Sequence, residues 1–180
     1  MLEAGVALLE EGGYEAFTIA AVCERAVVPP RALYARIDSK DALFLAVYEH
    51  GMERVRSEHS GLTAPAHLDD RPAVHAVVGA LAQIFERHRA FLRAVVLASS
   101  AHPEVADRGR RYAGQLADAF TSALPTAGRE GAAVTCFAAV FSTLVVRTAY
   151  GPEFAGPDVD DATFVGQLAD MVADHVLPAR

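Results

Sequence analysis

Residues 18–47 read TIAAVCERAVVPPRALYARIDSKDALFLAV, and this stretch decides the fold. Ile19, Val22 and Cys23 follow the i, i+3, i+4 spacing that places apolar side chains on one face of a helix. Thr18 precedes them and has a hydroxyl that can accept from a free N–H group of the first turn. The pattern predicts a short helix over residues 18–26.

A second short helix is predicted from the Pro29-Pro30 pair to residue 36. Proline is tolerated at a helix start, because the N–H groups there have no intrahelical partner. Leu33 is expected to face inward with Ile37. The outward positions are then Arg31, Tyr34 and Arg36, which a helix-turn-helix could carry into a DNA groove.

A third helix is predicted to begin at Ser39-Lys40-Asp41 and to run over residues 40–57. Ser39 is its expected cap, and Asp41 lies where the helix dipole favours a negative charge. Lys40 and this helix start suit a phosphate oxygen. Upstream, a first helix is predicted over 2–11, ended by Gly12-Gly13 as a left-handed cap.

The order of these markers resembles the TetR-like family of bacterial helix-turn-helix transcription regulators. The matching residues are Gly13-Tyr14, Thr18, Leu33-Tyr34 and Ser39-Lys40. The resemblance implies that residues 1–45 are a DNA-binding domain and that residues 46–180 are a helical, dimeric, ligand-binding domain. It also implies that Thr18, Tyr34 and Lys40 contact phosphates, whereas Pro30, Arg31 and Arg36 lie nearest the bases.

Three residues depart from the family pattern. Val27 stands where the family usually has a turn glycine, and a β-branched residue resists positive φ, so we expect either strain in this turn or an altered angle between the two helices. Ile37 replaces an aromatic residue, and Pro29 replaces a residue with an N–H that could reach a phosphate. The chain also starts at what should be the first turn of its first helix, which favours a short basic arm upstream, as is common in that family.

Charge and composition restrict the class of protein. A chain of 180 residues with 52% hydrophobic residues and net charge −7 is an ordinary globular protein, not a general nucleic-acid binder. Residues 25–40 reverse this balance, because they contain one acidic residue, Asp38, and four basic residues, Arg25, Arg31, Arg36 and Lys40. A small basic surface on an acidic chain is typical of a groove-reading regulator.

Other functions lack their signatures. Two cysteines do not make a disulfide framework, no export or membrane segment is apparent, and we expect a cytoplasmic protein that does not bind a membrane. The seven histidines show no metal-ligand spacing, so no metal or other cofactor is expected. Ser99-Ser100 near His102 lacks the Gly-x-Ser-x-Gly setting of a hydrolase, and we expect no enzyme activity.

The rest of the chain is predicted to be helical. Helices are expected over 72–87, 89–100, 103–123, 132–150 and 160–176, with loops at 60–71 and 125–131. Helix 132–150 is apolar around most of its circumference and must be buried on nearly all sides. We expect a homodimer through helices 132–150 and 160–176, whose two-fold symmetry would match a palindromic double-stranded DNA operator.

A small hydrophobic or aromatic effector is expected among the helices of residues 72–150. Its candidate contacts are Phe85, His88, Phe91, Arg93, Tyr112, Gln115, Phe120, Phe137, Phe141 and Thr148. Aromatic residues at helical spacing are more often simply core, so each one alone is weak evidence.

Together these features predict an all-α, ligand-responsive DNA-binding regulator, most simply a repressor that the effector releases from its operator. The alternative is a helical small-molecule binding protein in which Val27, Pro29 and the acidic N-terminal region impair DNA binding. The sequence does not name the effector or the operator.

Overall fold

The structure, a computed structural model, describes residues 1–58, 62–63, 70–126, 128–155 and 159–178. These residues form helices and contain no strand. The α-helices are α1 (Leu2–Ala16), α2 (Ile19–Arg25), α3 (Pro30–Tyr34), α4 (Lys40–Ser57), α5 (Asp70–Arg87), α6 (Arg89–Ser99), α7 (Pro103–Ala123), α8 (Glu130–Tyr150) and α9 (Asp161–Val176), and a 3-10 helix lies at Pro152–Ala155. The predicted all-α class, with an N-terminal three-helix helix-turn-helix domain followed by helices, is confirmed.

Two helices begin earlier than predicted. Helix α5 starts at Asp70 instead of residue 72, and α8 starts at Glu130, inside the predicted loop 125–131. Each has an acidic residue in its first turn, where the helix dipole stabilises a negative charge. The predicted loop 60–71 lies largely outside the described residues.

Helix α1 runs past its predicted end at residue 11 and continues to Ala16. Gly13 interrupts it with φ 65° and ψ −163°, a conformation that glycine adopts without a Cβ clash. The expected left-handed residue is therefore present, but it makes a kink instead of a terminus. Tyr14, the residue after the kink, packs edge-on against Phe44, with ring centroids 4.8 Å apart.

The chain divides into two compact units, and the first comprises Met1–Ser57 and His88–Arg110. In it α1 packs against α4, α6 and α2, and α2 also packs against α3. Phe17 and Phe44 are fully buried, with ring centroids 5.8 Å apart. The division of DNA-binding and ligand-binding roles at residue 45 stays a prediction, since compactness does not test roles.

The second unit comprises Glu58–Arg87 and Arg111–Arg180. Here α5 packs on α9 and α8, and Arg71 of α5 pairs with Asp170 and Asp174 of α9. Arg147, near the end of α8, donates to Asp161 at 2.7 Å and to the Val159 carbonyl at 3.1 Å. These contacts hold α9 beside α5 and α8.

The sequence predicts burial of α8 on nearly all sides, together with a homodimer through it. Within a single chain, this helix is buried on one side. Val134 is 59% exposed, and Thr135, Ala138 and Ala139 are exposed beside it. The buried side carries Val140 and Leu144 instead. The apolar composition therefore exceeds what the core of a single chain covers.

One described helix, α8, is long and apolar enough to cross a membrane, and 39% of its most apolar window is buried. This is weak evidence for a span, because the core helix of a soluble protein passes the same test.

Tyr48 is buried in the first unit, on α4, and only 3% of it is exposed. Burial of its hydroxyl, followed by the neighbouring Glu49 carboxylate, raises the pKa of Tyr48 to about 12. Arg56 and Arg108 act in the opposite direction and pair with Glu49. The folded state therefore keeps the phenol neutral at a pH where an unfolded chain would ionise it.

This pKa predicts alkaline destabilisation. Below pH ~10 Tyr48 is protonated in both states, and between about pH 10 and 12 only the unfolded chain releases the proton, so the free energy of unfolding falls by about 2 kcal/mol across that window. Urea unfolding at several alkaline pH values measures the fall. Tyr48→Phe should be less sensitive to pH than the wild type, whereas Tyr34→Phe, at an exposed site, should behave like the wild type; equal slopes for all three would contradict the assignment.

Candidate functional site

The exposed face of α3 carries the predicted DNA contacts. Arg31, Tyr34 and Arg36 are exposed, and Leu33 beneath them is fully buried. The helix ends at Tyr34, two residues before its predicted end, and Arg36 follows in a turn in which its N–H donates to the Leu33 carbonyl. The outward placement of these side chains is confirmed.

Helix α2, which packs against α3, is capped at its start and ion-paired to α1 at its end. The Thr18 hydroxyl oxygen accepts from the Ala21 N–H at 3.1 Å, as the sequence predicted. Arg25 donates from both terminal nitrogens to the Glu11 carboxylate of α1, each at 2.6 Å. This pairing lowers the pKa of Glu11, and it removes Arg25 from the basic surface that the sequence had suggested.

The turn between α2 and α3 contains the one non-glycine residue with positive φ in the described part of the chain, Val27 at φ 53°. The N–H of Val27 donates to the Glu24 carbonyl, and that of Val28 donates to the Cys23 carbonyl. This pair of bonds is the Schellman motif, which requires a left-handed residue at the position of Val27. The predicted strain at this turn is therefore present.

Val27→Gly is expected to raise the free energy of unfolding by about 1 kcal/mol, because glycine adopts the left-handed conformation without a Cβ clash and Val27 buries almost nothing. Val28→Gly is the matched control, since the neighbouring position has no positive φ. It should lower the free energy of unfolding. Thermal and urea denaturation measure both, and an equal or lower stability for Val27→Gly would count against strain.

The start of α4 lies beside a cluster of aromatic residues. The Ser39 hydroxyl oxygen accepts from the Ala42 N–H at 3.0 Å, which confirms the predicted cap. The Lys40 ammonium lies 4.0 Å from the centroid of the Tyr14 ring, a cation–π contact. The Tyr14 hydroxyl is 3.5 Å from an Asp41 oxygen, and burial together with Asp41 raises the pKa of Tyr14.

His102 completes this cluster, and the sequence did not suggest it. Its ring centroid is 4.6 Å from that of Tyr14 and 4.8 Å from that of Phe44. Its Nδ1 lies 3.4 Å from an Asp41 oxygen, and its side chain is 11% exposed. The sequence placed His102 only near Ser99-Ser100, since no local pattern marks a contact with α1 and α4. The Tyr14 ring that contacts Lys40 is thus packed against His102, the residue just before α7.

Four of the ten predicted effector contacts come together in the second unit. Phe85 packs edge-on against Phe141 at 5.7 Å between centroids, Phe141 stacks on Phe137 at 5.3 Å, and Phe137 lies 5.6 Å from Phe120. Tyr112 and Thr148 are also buried in this unit, whereas Gln115 is exposed. Their role in ligand binding stays a prediction.

The remaining three candidates, His88, Phe91 and Arg93, belong to the first unit. Phe91 is buried against Gly51 of α4, where it packs as a core side chain. His88 is half-buried, and Arg93 is exposed. Seven of the ten candidates thus belong to the second unit and three to the first.

Comparison with known proteins agrees with this geometry. Residues 1–47 match the family model of bacterial regulatory proteins of the tetR family. No curated protein is significantly similar to the chain.

Solved structures share the fold of the whole chain. A transcriptional regulator from Rhodococcus sp. RHA1 is 18% identical, with a TM-score of 0.71 over 97% of this chain and 92% of that one. A TetR family transcriptional regulator from Thermus thermophilus is 20% identical, with a TM-score of 0.64 over 98% of both. The ketosteroid transcriptional regulator of Mycobacterium tuberculosis is 14% identical, with a TM-score of 0.57 over 99% of this chain and 93% of that one.

Proposed function

We propose that this chain, which has a TetR-type DNA-binding domain in sequence and the fold of TetR-family regulators over its whole length, is a cytoplasmic, dimeric transcription repressor released by a small molecule. The observation that carries the proposal is the exposure of Arg31 and Tyr34 on α3 and of Arg36 in the turn after it, beside a capped α4 that begins at Lys40. Both findings confirm the resemblance to the TetR-like family that the sequence markers indicate.

The charges on this surface suit a groove of DNA. Arg31 and Arg36 can fork onto guanine, the commonest specific contact in the major groove. The Lys40 ammonium, which lies over the Tyr14 ring, can meet a backbone phosphate. The Thr18 oxygen accepts within the chain, so its hydroxyl hydrogen remains for a phosphate oxygen, and the Tyr34 hydroxyl can donate to another.

The exposed apolar side of α8 and α9 supports a homodimer. Val134 and Met171 are 59% and 43% exposed on two helices that pack on each other. A second copy related by a two-fold axis would cover them, and the same symmetry would hold two α3 helices about 34 Å apart on a palindromic site. The dimer through α8 and α9 is thus the assembly that the proposal requires.

The effector region of the proposal is the row of four phenylalanines in the second unit, which Phe85, Phe141, Phe137 and Phe120 form. Aromatic faces favour a flat or hydrophobic small molecule. Binding there needs a coupling free energy of only about 1 to 3 kcal/mol to release DNA. The effector-bound dimer must then disfavour the distance between its two DNA-binding domains that the operator requires.

Arg31→Ala is expected to relax base preference and to cost about 1 to 3 kcal/mol on the preferred site, whereas Lys40→Ala should weaken binding to all sequences alike and lower its salt dependence. Fluorescence anisotropy with full-length protein, on DNA adjoining its gene and on a shuffled duplex, measures both. Arg110→Ala on α7 removes the same charge and is the control. The absence of saturable, salt-sensitive binding by the wild type would reject the proposal.

A second candidate is a helical small-molecule binding protein that has lost DNA binding. The left-handed conformation of Val27 favours it, as does the Pro29-Pro30 pair, which has no N–H to offer a phosphate. A large gain in DNA affinity for Val27→Gly would show that the helix-turn-helix is impaired as written and would favour this candidate.

A further inference from the structure

Residues 27–30, which we name the leading edge, enter α3 and present no hydrogen-bond donor. The N–H groups of Val27 and Val28 are bonded to carbonyls of α2, and Pro29 and Pro30 have none. All four side chains are hydrocarbon. The leading edge therefore cannot donate to a phosphate or to the acceptors of a base edge, and its side chains can make only apolar contacts.

Val27 is the most distinctive residue of this edge. It is 88% exposed, the largest exposed fraction among the large hydrophobic residues described, and it holds φ 53°. Neither feature helps the fold, because the side chain buries almost nothing and glycine would relieve the backbone strain. A strained residue that the core does not need points to a role outside the core.

Only one base offers an apolar group at the edge that a recognition helix reads. In the major groove the bases present donors and acceptors, and the C5-methyl group of thymine is the exception. Helix-turn-helix proteins place the N-terminal residues of their recognition helix against base edges. The leading edge runs into that end of α3, since Pro30 is the first residue of the helix and residues 27–29 precede it.

We propose that Val27, with the prolines behind it, contacts the C5-methyl group of a thymine in the major groove and makes a thymine part of each half-site. This inference rests on the proposed DNA-binding function. Arg31 and Arg36 would read acceptors, and the leading edge would read a methyl group, so the two contacts specify different bases. Val27 is then a specificity-determining residue, because a glycine at position 27 would have no side chain to contact the thymine.

The test uses full-length protein and a library of duplexes with a randomised centre. Selected sequences are resynthesised with uracil replacing one thymine at a time, which removes the methyl group and changes nothing else on the base edge. Loss of one buried methyl group should lower wild-type affinity about fourfold at one position of the half-site. Val27→Gly should lose this sensitivity while staying folded, and Val27→Ala, which keeps a single methyl group, should fall between the two.

The outcomes separate this inference from the function on which it rests. A library that shows no salt-sensitive enrichment overturns both. Enrichment with no uracil effect at any thymine overturns the inference alone, as does an equal uracil effect in wild type and Val27→Gly. A gain in DNA affinity for Val27→Gly overturns it too, because Val27 would then be an obstacle to DNA instead of a contact.

Discussion

Gly51→Val is expected to lower the free energy of unfolding by about 3 kcal/mol, at the upper end of what overpacking costs. A Cβ atom built on Gly51 would lie 2.8 Å from Cε1 of Phe91 and closer still to Cζ and Cε2. Phe91 is 2% exposed, so its ring has nowhere to move without displacing other core atoms. The contact joins α4 to α6 within the first unit.

Gly79→Val supplies the matched control for Gly51→Val. Gly79 also lies inside an 18-residue helix, α5, but a Cβ there meets nothing within 4 Å. Helix propensity alone would make valine slightly better than glycine, so this variant should be near neutral. Phe91→Leu in the Gly51→Val background should recover part of the loss. Equal stabilities of the two valine variants in urea would show that the Phe91 contact does not limit position 51.

Val134→Lys is expected to weaken the proposed dimer by on the order of 100-fold or more, because a two-fold interface would bury the new charge twice without a partner. Val134 is exposed in the single chain, so the substitution leaves the core of the chain intact. Sedimentation velocity at micromolar protein should show a monomer. Affinity for a palindromic duplex should also fall, since the two DNA-binding domains would no longer be joined in one dimer.

Gln83→Lys adds the same charge at an exposed position of a different helix, α5, and should leave the dimer unchanged. Circular dichroism of both variants checks that the helices remain. A Val134→Lys protein that sediments as the wild-type dimer would exclude this side of α8 from the interface, while leaving the DNA-binding proposal to its own test.

Much of the helix-turn-helix could be predicted because its signals are local. Thr18 and Ser39 cap helices through bonds from residues three positions later. The left-handed turn after α2 is closed by the N–H groups of Val27 and Val28, which donate to carbonyls three and five residues earlier. The position of Val27 against the family pattern was enough to predict strain there. Such features depend on a few neighbouring residues, which any reader of the sequence has side by side.

Other features have no local signature. Arg25 looked like part of the basic surface until the structure paired it with Glu11, and a charged residue in sequence does not disclose its partner. His102 meets Tyr14 and Phe44 although both lie far away along the chain. Helix α1 passed its predicted end because a glycine with positive φ can kink a helix as well as end one.

The sequence by itself determined an all-helical chain, the register of its helix-turn-helix and the side chains that α3 turns outward, because hydrophobic periodicity and capping act within one or two turns of helix. Only the tertiary structure decided which side of α8 stays exposed, which phenylalanines meet, and how Lys40 is held over Tyr14. Those outcomes depend on which helices pack together, and a helix with apolar residues all around its circumference does not encode which side its neighbours will cover.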